Sequence, residues 1–337
     1  MKFRKFGSSG TLVSEFGLGA LAFGSETDQA GAHAVLDRYV ELGGNYIDTA
    51  DVYVKGQAEE IVGAWLAKRS DREDVVLSSK CGQYMGSGPN DGGLSAPRVR
   101  RALESSLDRL GVDFVDVYYA HCWDPLTSAE EMIQAFGGVV RDGKARYWAV
   151  SNFSGWQLER VVRLADSLGA PRPIVHQAQL SLLARQSEWE LIPVARDHSM
   201  GTVAWSPLCG GWLAGNFGRD GVPTGHVRNR SLFVNELRNN PHTWRVLETL
   251  ESLARGREHS VSIAQLALAW VNEAEGIACT LLGASDVDQL EDGLRASEVS
   301  LTAAERLKLD EASSLPPPEY PNTFASMLAE PRENQLL

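Results

Sequence analysis

The chain has 337 residues, 43% of them hydrophobic and 23% charged, an ordinary globular composition at a length that α/β barrels commonly reach as one domain. Its 32 basic and 44 acidic residues give a net charge of −12, which argues against a protein that coats nucleic-acid phosphates but not against a small anion held by local donors. The four cysteines, Cys81, Cys122, Cys209 and Cys279, lack the spacing of a zinc site and are too few for a disulfide framework.

In chain order, the first residues carry no apolar signal segment, and Phe3–Val13, with a Ser9-Gly10 turn, is expected to form a hairpin. Beyond it, short apolar runs alternate with amphipathic stretches. Strands are expected at Phe16–Ala20, Asn45–Thr49, Val75–Lys80, Phe114–His121, Ala145–Ser151, Pro173–Gln177, Thr202–Trp205 and Ala278–Gly283. Helices are expected near 27–42, 56–69, 96–110, 128–142, 155–168, 187–199, 260–275 and 286–297. Eight evenly spaced βα units predict a closed (β/α)8 TIM barrel, with residues 1–337 as one domain.

Local chemistry supports this reading. Ser95 is placed to cap the helix that Pro97 begins, Gly111 to end it, and Gly43-Gly44 to separate the first helix from the second strand. Two long loops break the rhythm, glycine-rich Tyr84–Leu94 after the third strand and Leu208–Arg238 after the seventh. Both follow strand C-termini, where barrel enzymes carry their working loops. The proline-rich tail, 316–337, is expected to wrap the surface without joining the core. No apolar stretch approaches a membrane span, so a reduced, cytoplasmic protein without membrane or nucleic-acid partners is expected.

The same mouth of such a barrel collects Asp48, Lys80, His121, Ser151, Asn152, Gln177 and Trp205 at strand ends, with Tyr53 a few residues beyond the second strand. Each alone has a bland reading: a cap, a snorkelling lysine, a satisfied interior histidine. Their convergence suits carbonyl reduction. Hydride addition to C=O develops an alkoxide that must be protonated as it forms. A phenol with a pKa of about 10 is too weak an acid unless an adjacent ammonium favours its anion. A buried lysine in turn needs a carboxylate partner, and a histidine can donate to the substrate oxygen.

The segments Asn45-Tyr46-Ile47-Asp48-Thr49-Ala50-Asp51-Val52-Tyr53, Leu77-Ser78-Ser79-Lys80, Tyr118-Tyr119-Ala120-His121 and Ser151-Asn152-Phe153 resemble the diagnostic motifs of the aldo-keto reductase family, in order and spacing. The resemblance runs from Leu18-Gly19 to Leu282-Gly283-Ala284-Ser285 and is strongest to the potassium-channel β-subunit and deoxysugar ketoreductase branches. It implies Tyr53 as general acid, Lys80 and Asp48 as its tuning pair, and His121 as the substrate-orienting residue. It also implies an NADP(H) cofactor. Asp48, Ser151, Asn152 and Gln177 would lie at the nicotinamide end, with Trp205 stacked on the ring. Ser206, Pro207 and Leu208 would lie beside the pyrophosphate, and Gly283, Ser285, Gln289 and Asp292 at the adenosine end. A helix N-terminus near Asp286 suits a phosphate there.

This chain departs from the family pattern at several places. Ser285 stands where many NADP-preferring members carry a basic residue, Asp292-Gly293 replaces a common Glu-Asn pair, and Leu180-Ser181 replaces a Tyr-Asn pair. Arg228 or Arg230 is a candidate phosphate contact, and Tyr84, Trp123, Trp212 and Phe233 are candidate substrate-pocket residues. The His226-Val227-Arg228 stretch has no metal-ligand partner. The expected activity is reduction of an aldehyde or ketone, sugar-like ketones included. The alternative is an NADP(H)-binding redox sensor with little turnover. A metal-dependent hydrolase would need more histidines at these strand ends than the one present.

Overall fold

All eight expected strands form, and they close on one another. The computed structural model describes residues 1–70, 72–219, 234–257, 259–316, 318–322, 324 and 327. A hairpin of β1 (Phe3–Lys5) and β2 (Leu12–Ser14) precedes eight barrel strands. These are β3 (Phe16–Gly19), β4 (Tyr46–Asp48), β5 (Val76–Cys81), β6 (Val115–Ala120), β7 (Ala145–Ser151), β8 (Val175–Gln179), β9 (Gly201–Trp205) and β10 (Ile277–Leu282). They pair in parallel in chain order, and β10 returns to β3 through Leu282 opposite Leu18.

The helices on the outside are α1 (Gln29–Glu41), α2 (Gln57–Leu66), α3 (Ala96–Leu110), α4 (Ala129–Arg141), α5 (Gly155–Ser167) and α6 (Leu191–Asp197). After β9 come α7 (Val234–Asn239), α8 (Pro241–Arg255) and α9 (Ile263–Asn272), and after β10 come α10 (Val287–Leu294) and α11 (Ala303–Ser313). In α4 the Ser128 side chain accepts from the Glu131 N–H, satisfying one of the orphan donors of the first turn. Met132, Ile133, Phe136 and Val139 then recur at helical spacing and are buried. Phe136 stacks on Trp148 of β7 with ring centroids 5.3 Å apart, so helix and strand share one apolar layer. Each such fully buried side chain contributes about 1.5–3 kcal/mol.

The period of two along the strands sends alternate side chains into the barrel. Tyr46, Val117, Tyr119, Ala149, Val175, Val203 and Cys279 fill its interior together with Phe6 and Val13 from the hairpin. Phe6 lies against Tyr46, ring centroids 4.9 Å apart, and so plugs the N-terminal end. Gly17 makes room for this: a Cβ there would stand 2.6 Å from Tyr46 Cδ1 and 2.9 Å from Leu281 Cδ2.

Several local expectations are corrected. The expected hairpin forms; its connection spans residues 6–11, a wider loop than the expected Ser9-Gly10 turn, closed by Phe6 N–H to Thr11 O at 2.8 Å, with Gly7 in the left-handed region. Ser95 occupies the cap position of α3 but makes no capping bond; the Ala96 N–H donates instead to Glu131 Oε1 on the next helix, at 2.9 Å. The sixth helix is shorter than 187–199, because Gln186–Glu188 form a separate 3-10 turn ahead of Leu191. The short α7 begins inside the expected Leu208–Arg238 loop, and helices α8 and α11 were not anticipated. Both carry start signals, Asn240-Pro241 in α8 and the Thr302–Glu305 capping box in α11, and they complete a second apolar layer around Trp270. The described tail residues from 318 onward are exposed. Among the described residues no helix is long and apolar enough to cross a membrane.

Candidate active site

Because all eight strands run the same way, their C-termini meet at one mouth. Asp48 ends β4, Lys80 lies one residue from the end of β5, His121 follows β6, Ser151 ends β7, Gln177 lies in β8 and Trp205 ends β9. Tyr53 begins a 3-10 turn beyond β4. Lys80 joins Asp48 to Tyr53 there, and the Tyr53 ring meets that of His121.

Lys80 is fully buried, and its three ammonium protons are all committed. Nζ donates to Asp48 Oδ2 at 2.5 Å, to the Thr49 carbonyl at 2.8 Å and to the Tyr53 hydroxyl at 3.1 Å. Burial pulls its pKa down, but the charges of Asp48 and Tyr53 and their hydrogen bonds more than offset that, and the lysine titrates above its ordinary value. The Tyr53 oxygen is the acceptor of that bond, so its own hydrogen takes no part in it.

Asp48 is 1% exposed, and its second oxygen is also enclosed by donors. Oδ1 accepts from Ser78 Oγ at 2.7 Å, Gln177 Nε2 at 3.1 Å and the Tyr46 hydroxyl at 3.3 Å. The Tyr46 hydroxyl in turn lies 3.0 Å from that of Tyr119. Sequence reasoning missed Tyr46, Ser78 and Tyr119 as parts of the site. The signal was present, since Tyr46–Asp48, Ser78–Lys80 and Tyr119–His121 are each two residues apart along a strand and share its inward face.

His121 meets Tyr53 edge to face, and its Nδ1 is buried without a partner among the described residues. Burial, and secondarily the charge of Lys80, push its pKa down to about 3. It is therefore a neutral imidazole near pH 7, able to give one N–H to a substrate oxygen without adding a formal charge.

Asp48 apart, the expected cofactor residues lie at the C-terminal ends of β7 to β10, in the turns after them and on α10. Asn152 adopts φ 57° and donates through Nδ2 to the His121 carbonyl at 2.9 Å and to Ser151 Oγ at 3.0 Å. Its Oδ1 accepts from Trp205 Nε1 at 3.2 Å, so both ends of the amide are engaged within the protein. Ser206 also has positive φ, and the turn Ser206-Pro207-Leu208 is closed by Cys209 N–H to the Ser206 carbonyl at 2.9 Å. At the eighth turn, a Cβ on Gly283 would meet only open space. The Ser285 N–H and hydroxyl both donate to Oε1 of the exposed Gln289 in the first turn of α10. Asp286 caps that helix. Asp292 is held by Gln265 of α9, whose Nε2 donates to its Oδ1 at 2.8 Å. Thr27, another residue that sequence reasoning missed, ties this turn to the first by donating to the Ser285 carbonyl at 2.9 Å. An open glycine flanked by exposed polar donors at a helix N-terminus fits a phosphate-bearing cofactor.

The remaining candidates separate. Trp123 packs edge-on against Phe153 and Trp156 beside the mouth, and Tyr84 is exposed. Trp212 is fully buried and stacked on Phe217, so it is core rather than pocket lining. Leu180 and Ser181 are fully buried as well. Burial pushes the Cys81 thiol up to about 12 and the Cys209 thiol up to about 11, which removes them as nucleophiles near neutral pH. His226, Arg228, Arg230 and Phe233 lie outside the described residues. Among the described residues no three His, Cys, Asp or Glu side chains gather as metal ligands.

A model of the aldo/keto reductase family matches residues 15–314. The probable voltage-gated potassium channel subunit beta of Oryza sativa subsp. japonica is 34% identical over 89% of this chain and 92% of its own. The uncharacterized oxidoreductase YrpG of Bacillus subtilis is also 34% identical, over 96% of this chain and all of its own. Norsolorinic acid reductase B of Aspergillus parasiticus is 30% identical over 93% and 84%. With a closed eightfold barrel, a buried lysine–aspartate–tyrosine cluster at its mouth and relatives aligned over almost their entire length, this chain belongs to the aldo/keto reductase family of oxidoreductases.

Proposed function

We propose that this protein is an NADP(H)-dependent reductase that converts an aldehyde or ketone, sugar-like ketones included, to the alcohol, with Tyr53 as general acid. The observation that carries this is the triple donation of Lys80 to Asp48, Thr49 and Tyr53. An ammonium fixed against a phenol oxygen favours the phenolate left after proton transfer, which turns an ordinarily weak acid into a usable one.

When bound, the nicotinamide cofactor supplies the hydride. The chain's own residues supply the rest. His121, neutral and close to Tyr53, donates to the carbonyl oxygen and orients it. Tyr53 gives its proton to that oxygen as negative charge develops there, and Lys80 stabilises the resulting phenolate. Asp48 holds Lys80 in position and balances its charge. Ser151, Asn152, Gln177 and Trp205 would hold the nicotinamide end, Ser206, Pro207 and Leu208 the pyrophosphate, and Gly283, Ser285 and Gln289 the adenosine phosphate. Asp292 would act from behind through Gln265.

A second reading is favoured by the relatives named as potassium channel β-subunits: a redox-sensing NADP(H)-binding protein with little turnover. Fluorescence titration with NADPH and NADH, followed by single-turnover oxidation with 4-nitrobenzaldehyde and a panel of small aldehydes and ketones, separates the two. Tight NADPH binding with prompt oxidation supports the reductase. Tight binding without oxidation across the panel supports the sensor, and no binding removes both.

A further inference from the structure

Of the donors beneath Asp48, Tyr46 and Ser78 have no part in the chemistry proposed above, yet they help decide where its charge sits. Asp48 Oδ2 is fixed by Lys80, but a carboxylate held through one oxygen can still rotate about its broad terminal torsion. Ser78 from β5, Gln177 from β8 and Tyr46 from its own strand reach Oδ1 from three sides and remove that freedom. Lys80 is confined in the same way, its Nζ 4.8 Å from the Tyr53 ring centroid and 5.8 Å from that of Tyr119. Tyr46 and Tyr119 are completely buried among apolar residues such as Val117, Ala149 and Val203, a setting in which phenylalanine would fill the same space without a polar atom to satisfy. Their hydroxyls meet each other, and that of Tyr46 reaches Asp48.

We propose that Tyr46 and Ser78 are positioning residues for the proton donor: by donating to Asp48 Oδ1 they hold the carboxylate in the orientation that keeps the Lys80 ammonium directed at Tyr53. The inference rests on Tyr53 being that donor. Tyr119 supports Tyr46 from behind. A hydroxyl that receives a hydrogen bond donates its own proton more strongly, so the pair acts as a short polarised chain ending on Asp48. Without it, Asp48 turns, the ammonium proton is shared more loosely between the two partners, and the positive field at the Tyr53 oxygen weakens.

The ionisable groups facing this cluster are Tyr46 on β4, Lys80 on β5, Tyr119 and His121 on and just after β6, Tyr53, and Cys279 on β10. Burial pushes Tyr46, Tyr119 and Cys279 well up, so they stay protonated across the range in which an ordinary phenol titrates, and His121 is already neutral. Tyrosinate absorbance can therefore be followed against pH in four proteins paired with their Tyr53→Phe counterparts: wild type, Tyr46→Phe, Ser78→Ala and Tyr119→Phe. The difference within each pair isolates Tyr53. We expect its midpoint to rise by about half a pH unit or more in Tyr46→Phe and Ser78→Ala, a threefold or larger drop in its ionisation constant, and by less in Tyr119→Phe. A merely structural role would lower the melting temperature and leave the midpoint in place. An unmoved midpoint in both Tyr46→Phe and Ser78→Ala overturns the proposal, and Ser78→Ala alone decides it should Tyr46→Phe fail to fold. Failure of the underlying reading looks different: Tyr53→Phe alone would then keep wild-type carbonyl reduction.

Discussion

Tyr53 and His121 meet edge to face with ring centroids 5.9 Å apart, one supplied by the turn after β4 and the other by the end of β6. In the proposed mechanism these two groups, brought from different strands, both donate to the carbonyl oxygen of the substrate. That convergence underlies the first prediction.

Replacing Tyr53 by Phe removes the acid and keeps the ring that packs against His121 and Lys80. Single-turnover carbonyl reduction is expected to fall by about 10³-fold, while the NADPH dissociation constant stays within about twofold. Stopped-flow oxidation and fluorescence titration on the same preparation measure both. Retained turnover removes Tyr53 from its role.

Lys80 and Asp48 are a buried ion pair, so removing one partner strands the other. Lys80→Met is expected to lose about 3–5 kcal/mol in urea unfolding, and the double variant Lys80→Met/Asp48→Leu to recover most of it. A double variant no more stable than the single one would show that the cost comes from packing rather than from an unpaired carboxylate.

Acid should destabilise the protein through its buried histidines. His121 and the fully buried His176 are both pushed down to about 3, against about 6.5 in the unfolded chain. Between those values the unfolded state binds more protons, so stability is fully present above about pH 6.5 and is lost as pH falls toward 3. His176→Gln, which lies outside the site, should lose less stability between pH 7 and 4.5 than wild type, by on the order of 2 kcal/mol. Parallel pH dependences in the two proteins would rule this out. The same shift predicts that the His121 ring resonances do not titrate between pH 5 and 8.

Ser285 presents its N–H and hydroxyl to Gln289 at the start of α10. A carboxylate introduced there by Ser285→Asp would repel a 2′-phosphate. NADPH binding is expected to weaken by about tenfold more than NADH binding. Equal weakening of both would mean that this turn does not read the phosphate.

Strand positions and the strand-end residues were legible because parallel strands announce themselves as short apolar runs, and residues at their C-termini are forced to one mouth. Asp48, Lys80 and His121 could be brought together on that basis alone. What was not legible follows from side-chain partners chosen in three dimensions. Ser95 looks like a cap, but Glu131 on a neighbouring helix takes its place. Trp212 looks like a pocket aromatic in a loop, but Phe217 and Trp244 draw it into the core. Tyr46 reads as one more apolar position: its spacing sets it on the inward face with Asp48, but only the closed barrel brings Ser78, Gln177 and Tyr119 beside their oxygens. Helices α8 and α11 were hidden differently: their start signals are clear, but they stand outside the βα rhythm of the barrel.

The hairpin plug has a kinetic corollary. With Phe6 seated against Tyr46 and inward side chains filling the lumen, the N-terminal end of the barrel is shut. The hydroxyl protons of Tyr46 and Tyr119, both fully buried, therefore exchange with bulk water only when the packing around them opens, so their exchange rate reads how often the barrel interior loosens.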